Sequence, residues 1–374
     1  ENPDAGYRSR YDKASEYARA GYYSVYLSDY RIRTEATVAQ RAGMLRFTFP
    51  EGKNSRIQID LARRVGGTST WQEIKVVDDH TISGKMICTP DGGGWGNGDG
   101  KPDYTVHFYA QFSKPLKNYG VWSVAIPEGQ SRKREFVESE VFQQLTAGAE
   151  IHRQVSSFEG KHLGFFTEFE TTKDEVVLMK AGISFVSEEN ARENLETEIA
   201  DWDFERVLQS NQQAWNEALS KVEVASDDEE LKHIFYTALY RTMIDPRLYS
   251  DANGEYMGGD KKIHQTGSFQ KRTIFSGWDV FRSEMPLLTL IRPDVISDLL
   301  NSLITLADES GKGYLERWEF LNAYSGCMIG NPAISVLLDA YKKQIRNYDL
   351  EKAWQYAEES SRLFGNAKYG YVPG

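Results

Sequence analysis

Residues 187–224 read SEENARENLETEIADWDFERVLQSNQQAWNEALSKVEV, and the period of this stretch decides the fold class. Leu195, Ile199, Trp202, Phe204, Leu208, Trp215, Leu219 and Val222 recur at spacings near three and four. That spacing predicts a long amphipathic helix, broken once. Ser187, with Glu188 and Glu189 behind it, is the expected N-cap.

The two sides of this helix differ in kind. Up to about residue 186 the chain is a series of short segments rich in Val, Ile, Thr, Tyr and Phe, among them GYYSVYL, GMLRFTF, SRIQIDLA, TVHFYAQFS and EVVLMKAGISFV. Several alternate apolar with polar, and turn residues such as PEGK and TTKDE separate them. Many short strands with little helix between them predict an antiparallel β-sandwich. From about residue 227 the segments DEELKHIFYTALYRTMI, GWDVFRSEMPLLTLI, RPDVISDLLNSLITLADES, NPAISVLLDAYKKQI and DLEKAWQYAEESSRLFG are amphipathic at helical spacing. Asn253-Gly254 marks a hairpin turn between the first two. The remainder is expected to be helical hairpins with ligand-bearing loops on one face, and no sheet larger than a hairpin beyond residue 260. The expected domains are a sandwich over 1–190, a helical linker over 191–225 and barrel helices over 226–374.

The totals limit the function classes. The net charge is −11 and no Lys/Arg-rich run occurs, which argues against a nucleic-acid partner. Cys88 and Cys327 suggest no disulfide framework, and the six histidines form no close pair with zinc spacing. No stretch approaches 18 apolar residues, so no transmembrane helix is expected. The N-terminal ENPDAGYRSRYDK has no signal-peptide core. Eight Trp and 21 Tyr suit a protein that stacks rings on flat ligands such as sugars, although many will be core.

Three segments carry candidate chemistry. DGGGWGNGDGKPD, Asp91–Asp103, lacks the GK[ST] of a phosphate loop and the ligand order of a calcium-binding EF-hand. It is either a hairpin loop or a tip that reaches over a cleft with Trp95. SGWDVFRSEMP, Ser276–Pro286, puts Trp278 and Asp279 at a helix start, with Arg282 on the same face as Asp279. A local ion pair and sugar recognition both fit. GYLERWEFLNAYSGCMIGNP, Gly313–Pro332, gathers Glu316, Arg317, Trp318 and Glu319 in a connecting segment. Buried ion pairing that orders a loop and an indole–carboxylate sugar site both fit. Cys327 has no His/Asp constellation to make it a nucleophile.

At these residues a resemblance appears. GYYSVYL, RTEATVAQRAGMLRFTFP, FYTALYRTMIDPRLYSDANGEYMG, FSGWDVFRSEMPLLTLIRPD, GYLERWEF and SGCMIGNPAISVLLDAYKKQIRNYD resemble glycoside hydrolase family 92 through essentially the whole chain. The resemblance implies a calcium-dependent, inverting exo-α-mannosidase with an N-terminal β-sandwich, a helical linker and an (α/α)6 barrel. It implies that Trp278 and Asp279, and Trp318 and Glu319, match sugar-contacting WD and WE positions. Arg282, Arg317 and Cys327 are further candidate contacts. In that family the general acid, the general base and most calcium ligands come from later barrel helices. No matching segments occur here, so neither a catalytic residue nor a metal ligand is assigned to this chain. The implied picture is the central part of a longer polypeptide that lacks N- and C-terminal segments and is catalytically silent by itself. Its substrate would be a glycan ending in mannose, as in N-glycans or mannan, with α-1,2 favoured and α-1,3, α-1,4 and α-1,6 linkages open, and its place the periplasm or the exterior. Two rivals remain open: another toroid glycosidase or phosphorylase, and a non-catalytic glycan-binding module.

Overall fold

The computed structural model describes residues 9–64, 67–92, 100–127 and 139–362. These form two compact units, one built from 9–92 with 104–215 and the other from 100–103 with 216–362.

The first unit holds two antiparallel sheets. A nine-stranded sheet runs in the order Tyr17–Arg19, Tyr22–Leu27, Ile32–Val38, Ala42–Phe49, Glu175–Ser184, Tyr104–Phe112, Thr81–Cys88, Trp71–Val76, Ser157–Gly160. A four-stranded sheet runs Glu150–Arg153, Asn118–Ser123, Leu163–Thr171, Gly52–Asp60. One core joins them: Phe49, Ile74, Ile82, Phe112 and Val177 from the large sheet meet Ile57, Val121, Phe165 and Phe169 from the small one. The strand Glu175–Ser184 shows the two-residue period at work. Val177 and Met179 face that core, while Leu178 packs on the opposite surface. Helix α1 (Glu140–Ala147) is the one helix of four or more residues described before residue 187.

The predicted linker is two helices, α2 (Glu188–Glu198) and α3 (Phe204–Leu219). Ser187 caps α2 by accepting a hydrogen bond from the Asn190 N–H. Both helices lie on the outer face of the large sheet, where Ala191, Leu195, Ile199, Phe204, Val207 and Leu208 pack with Ala42, Met44 and Tyr109. The approach is close. A Cβ at Gly182 would stand 2.2 Å from the Ala191 carbonyl oxygen, so glycine permits the contact.

The break between α2 and α3 has a cause on the sheet. Lys180 is 4% exposed. Its ammonium donates to the Ile199 and Ala200 carbonyls, both at 3.0 Å, and lies 4.8 Å from the Trp202 ring centroid. The carbonyls that end a helix lack intrahelical donors and carry its negative pole. Lys180 supplies both donor and charge there, and its burial lowers its pKa.

The second unit is mainly helical: α4 (Glu229–Arg241), α5 (Gly277–Val280), α6 (Glu284–Ile291), α7 (Pro293–Glu309), α8 (Pro332–Lys342) and α9 (Leu350–Arg362). Pro293 and Pro332 open α7 and α8, where a missing N–H costs nothing. Ile296, Leu299, Leu300, Leu303 and Ala307 of α7 form the centre of a core closed by Leu288, Val336, Ala340 and Tyr356. The unit also holds strands that helical spacing did not anticipate. Arg247–Leu248 pairs with Arg272–Thr273, and Glu255–Met257 with Ile263–Gln265. Phe275–Ser276, Trp318–Phe320 and Ala323–Tyr324 make a three-stranded sheet, which exceeds the hairpin expected beyond residue 260. Strands of two or three residues are too short to show a period. No helix among the described residues is long and apolar enough to cross a membrane.

Lys180→Met should keep the packing and leave the buried Ile199 carbonyl without its donor. The expected loss is about 1–3 kcal/mol of stability, seen as a lower urea midpoint at unchanged m-value.

Candidate active site

The small sheet of the second unit brings together two segments some forty residues apart. Phe275 pairs with Glu319 and Ser276 with Trp318. The chain then turns at 321–322 and returns, with Tyr324 opposite Glu319. Past the ladder, the Gly277 N–H donates to the Arg317 carbonyl at 3.0 Å. A Cβ at Gly277 would come within 2.6 Å of both that oxygen and Pro332 Cγ. Only glycine lets the segments lie this close. Trp278 and Asp279 follow at once, at the start of α5, two and three residues past the Ser276–Trp318 pair.

Trp278 is 47% exposed. Asp279 is also exposed and accepts a hydrogen bond from the Ser276 hydroxyl. Trp318 is half-buried, its ring 6.0 Å from that of Phe320. Two indoles and an outward carboxylate on neighbouring backbone are suited to stack a sugar ring and accept from its hydroxyls.

Glu319 sits differently. It is 3% exposed. Oε1 accepts from the Asn322 N–H at 2.6 Å and Oε2 from the Ile274 N–H at 2.8 Å. The Thr273 hydroxyl lies 2.8 and 3.0 Å from the two oxygens and donates to the carboxylate. Thr273 Oγ1 in turn accepts from the Leu321 N–H at 2.8 Å. Ile274, Leu321 and Asn322 have φ of 71°, 49° and 66°. Such left-handed conformations cost non-glycine residues about 1–3 kcal/mol each, and for β-branched Ile274 the case is extreme. All three strained N–H groups point into this one knot. Burial raises the Glu319 pKa against the pull of the Asn322 N–H, the Thr273 hydroxyl, Lys271 and the Ile274 N–H. Lys271, also buried, donates to the Ser302 carbonyl at 3.0 Å, and burial lowers its pKa to about 8.

The neighbouring charges serve the loop. Glu316 Oε1 accepts from the Trp318 and Gly326 N–H groups at 3.1 and 3.2 Å. Arg317 is buried and donates to the Gly326 carbonyl at 2.7 Å. Of the two readings of GYLERWEF, loop ordering accounts for Glu316 and Arg317, and Trp318 is the residue left partly open. Arg282 is exposed between α5 and α6, its guanidinium 5.1 Å from the Phe281 ring. Cys327 is a half-buried free thiol. Trp95 lies outside the described residues. Sequence reasoning missed Thr273, Ile274 and Lys271, whose importance comes from a contact across the chain and not from any local pattern. Among the described residues, no three His, Cys, Asp or Glu side chains gather where they could hold a metal ion.

A β-sandwich is thus followed by amphipathic helices, with indoles and a carboxylate displayed at a short sheet. The glycosyl hydrolase family 92 N-terminal domain matches residues 1–184 and the family's catalytic domain matches residues 190–372. The chain belongs to glycosyl hydrolase family 92. Among solved structures it is similar to the family GH92 α-mannosidase BT3965 of Bacteroides thetaiotaomicron in complex with mannoimidazole. The identity is 31%, the TM-score 0.83, and the match covers 99% of this chain and 46% of that one. It is similar also to the inverting mannosidase BT2199 of the same organism, at 25% identity and a TM-score of 0.76, over 93% of this chain and 42% of that one. An uncharacterized secreted glycosidase of Arthroderma benhamiae is 26% identical over 266 residues, which are 66% of this chain and 31% of that protein. The chain thus spans less than half the length of these relatives.

Burial pushes the Glu316 carboxyl up to about 7 from an ordinary value of 4.5. Between those values the folded state keeps a proton that the unfolded chain has lost, so stability falls as pH rises through that window. Glu316→Gln, neutral throughout, should remove this slope. Urea unfolding of both proteins at about pH 5 and about pH 7 checks it.

Proposed function

We propose that the protein hydrolyses terminal α-linked mannose, α-1,2-linked, from glycans such as N-glycans or mannan, with inversion at the anomeric carbon. The observation that carries this reading is the pairing of Ser276 with Trp318, which joins the segment carrying Trp278 and Asp279 to the segment carrying a second indole. The solved relatives named as mannosidases support mannose as the sugar. In this reading Trp278 and Trp318 stack the terminal sugar, Asp279 accepts from its hydroxyls, and Arg282 and Cys327 line the approach. Glu319 belongs to the same site.

Inversion requires a carboxylic acid to protonate the leaving oxygen and a carboxylate on the other face to activate water, about 6.5–9.5 Å apart. In this reading these two groups, and most ligands of a calcium ion, lie outside the described residues. The part played by the described residues is to bind and orient the sugar. Such contacts raise the rate when they strengthen in the transition state. The name of the fungal relative, a secreted glycosidase, supports a place outside the cytoplasm.

The natural full-length gene product should release mannose from α-1,2-mannobiose, followed by chromatography of the products. Asp279→Ala should lower kcat/KM on the order of 10²-fold, as loss of a charged hydrogen bond to substrate does. Near-normal kcat/KM in this variant would remove Asp279 from the site. A chelator should abolish hydrolysis and added calcium restore it; activity that survives exhaustive chelation would refute the calcium proposal.

A further inference from the structure

The relation of Glu319 to the sugar is where the structure adds most. Three donors face its carboxylate, the Thr273 hydroxyl within reach of both oxygens and the N–H groups of Ile274 and Asn322, and it is buried. Turning either oxygen toward a ligand would strip a buried N–H of its acceptor, which costs more than a new hydrogen bond returns. The donors themselves are the strained residues. Ile274, Leu321 and Asn322 hold positive φ, and each N–H ends on Glu319 or on the Thr273 hydroxyl. The knot therefore fixes both strands at the Phe275–Glu319 end of the two-residue ladder that pairs Phe275–Ser276 with Trp318–Glu319. Beyond that ladder, Ser276 holds Asp279 through its hydroxyl, and Gly277 is pinned to Arg317. A short, rigid path runs from the knot to the exposed Trp278 and Asp279.

We propose that Thr273 and Glu319 act as a pair of positioning residues that sets Trp278 and Asp279 against Trp318, and that Glu319 touches no sugar. The proposal rests on the α-mannosidase reading above, and it departs from the expectation that Glu319 is a sugar contact like Asp279.

The test uses the natural full-length gene product and a set of monodeoxy α-mannosides. Thr273→Val removes the hydroxyl at nearly constant volume, Thr273→Ser keeps it, and Glu319→Gln keeps the shape but turns an NH2 toward backbone donors. Thr273→Val and Glu319→Gln should lower kcat/KM on the order of 10²-fold, the cost of misplacing a binding group by about 1 Å. Thr273→Ser should recover most of it. Asp279→Ala should erase discrimination against loss of one particular hydroxyl. Thr273→Val should weaken discrimination at that same hydroxyl, and the double variant with Asp279→Ala should fall short of additivity. Should Thr273→Val fail to fold, Glu319→Gln carries the same comparison. If Glu319→Gln erases discrimination at a hydroxyl that Asp279→Ala leaves intact, Glu319 is a sugar ligand and the proposal is wrong. Full kcat/KM in Thr273→Val also overturns it, while the α-mannosidase reading stands. A wild-type product that hydrolyses no α-mannoside overturns that reading and takes this inference with it.

Discussion

Glu319 is an ionisable group closed off from water, and such a group persists only where donors replace its hydration. Here the replacement comes from backbone N–H groups and one hydroxyl, and the chain must bend unusually to present them. The left-handed residues at 274, 321 and 322 are the visible cost. The short sheet, the turn at 321–322 and the placement of the WD segment all depend on that exchange. Burial alone would drive the carboxylate toward its neutral form, and the donors oppose this. The polar core of the second unit is thus organised by desolvation as much as its apolar core is by area.

The two units solve their boundary problems with different chemistry. In the first, a buried lysine ends a helix by meeting its last carbonyls, so that the chain can turn and lay a second helix on the same sheet. In the second, a buried acid gathers N–H groups to hold a turn. One supplies donors to orphan acceptors, the other acceptors to orphan donors. Each satisfies buried backbone that no regular ladder reaches.

How far the sequence revealed this differs by element. Strands such as Glu175–Ser184 were legible because inward and outward residues alternate, and the Ser187 cap because its signal is local. The interruption in the linker was legible only as one break in a long helix, without its position, and Lys180, which meets it, lies on a strand some twenty residues earlier. The strand Trp318–Phe320 passed for loop because three residues carry no period. The pairing of the Ser276–Asp279 segment with Trp318 depends on a ladder across forty residues, and only the family resemblance pointed to both. Nothing near Thr273 or Ile274 announces a left-handed isoleucine. That conformation is imposed by a partner 45 residues away, and tertiary imposition leaves no local trace.

Gly277 bears on how such a site can change over time. Its missing side chain presses two backbones together, so the distance between the segments is set by main chain and not by any side chain that could be exchanged. Substitutions at 278 or 318 then alter what is presented without altering where it is presented. Specificity can drift residue by residue on a mount that stays fixed, whereas the mount itself can be lost in a single step, by the gain of one methyl group.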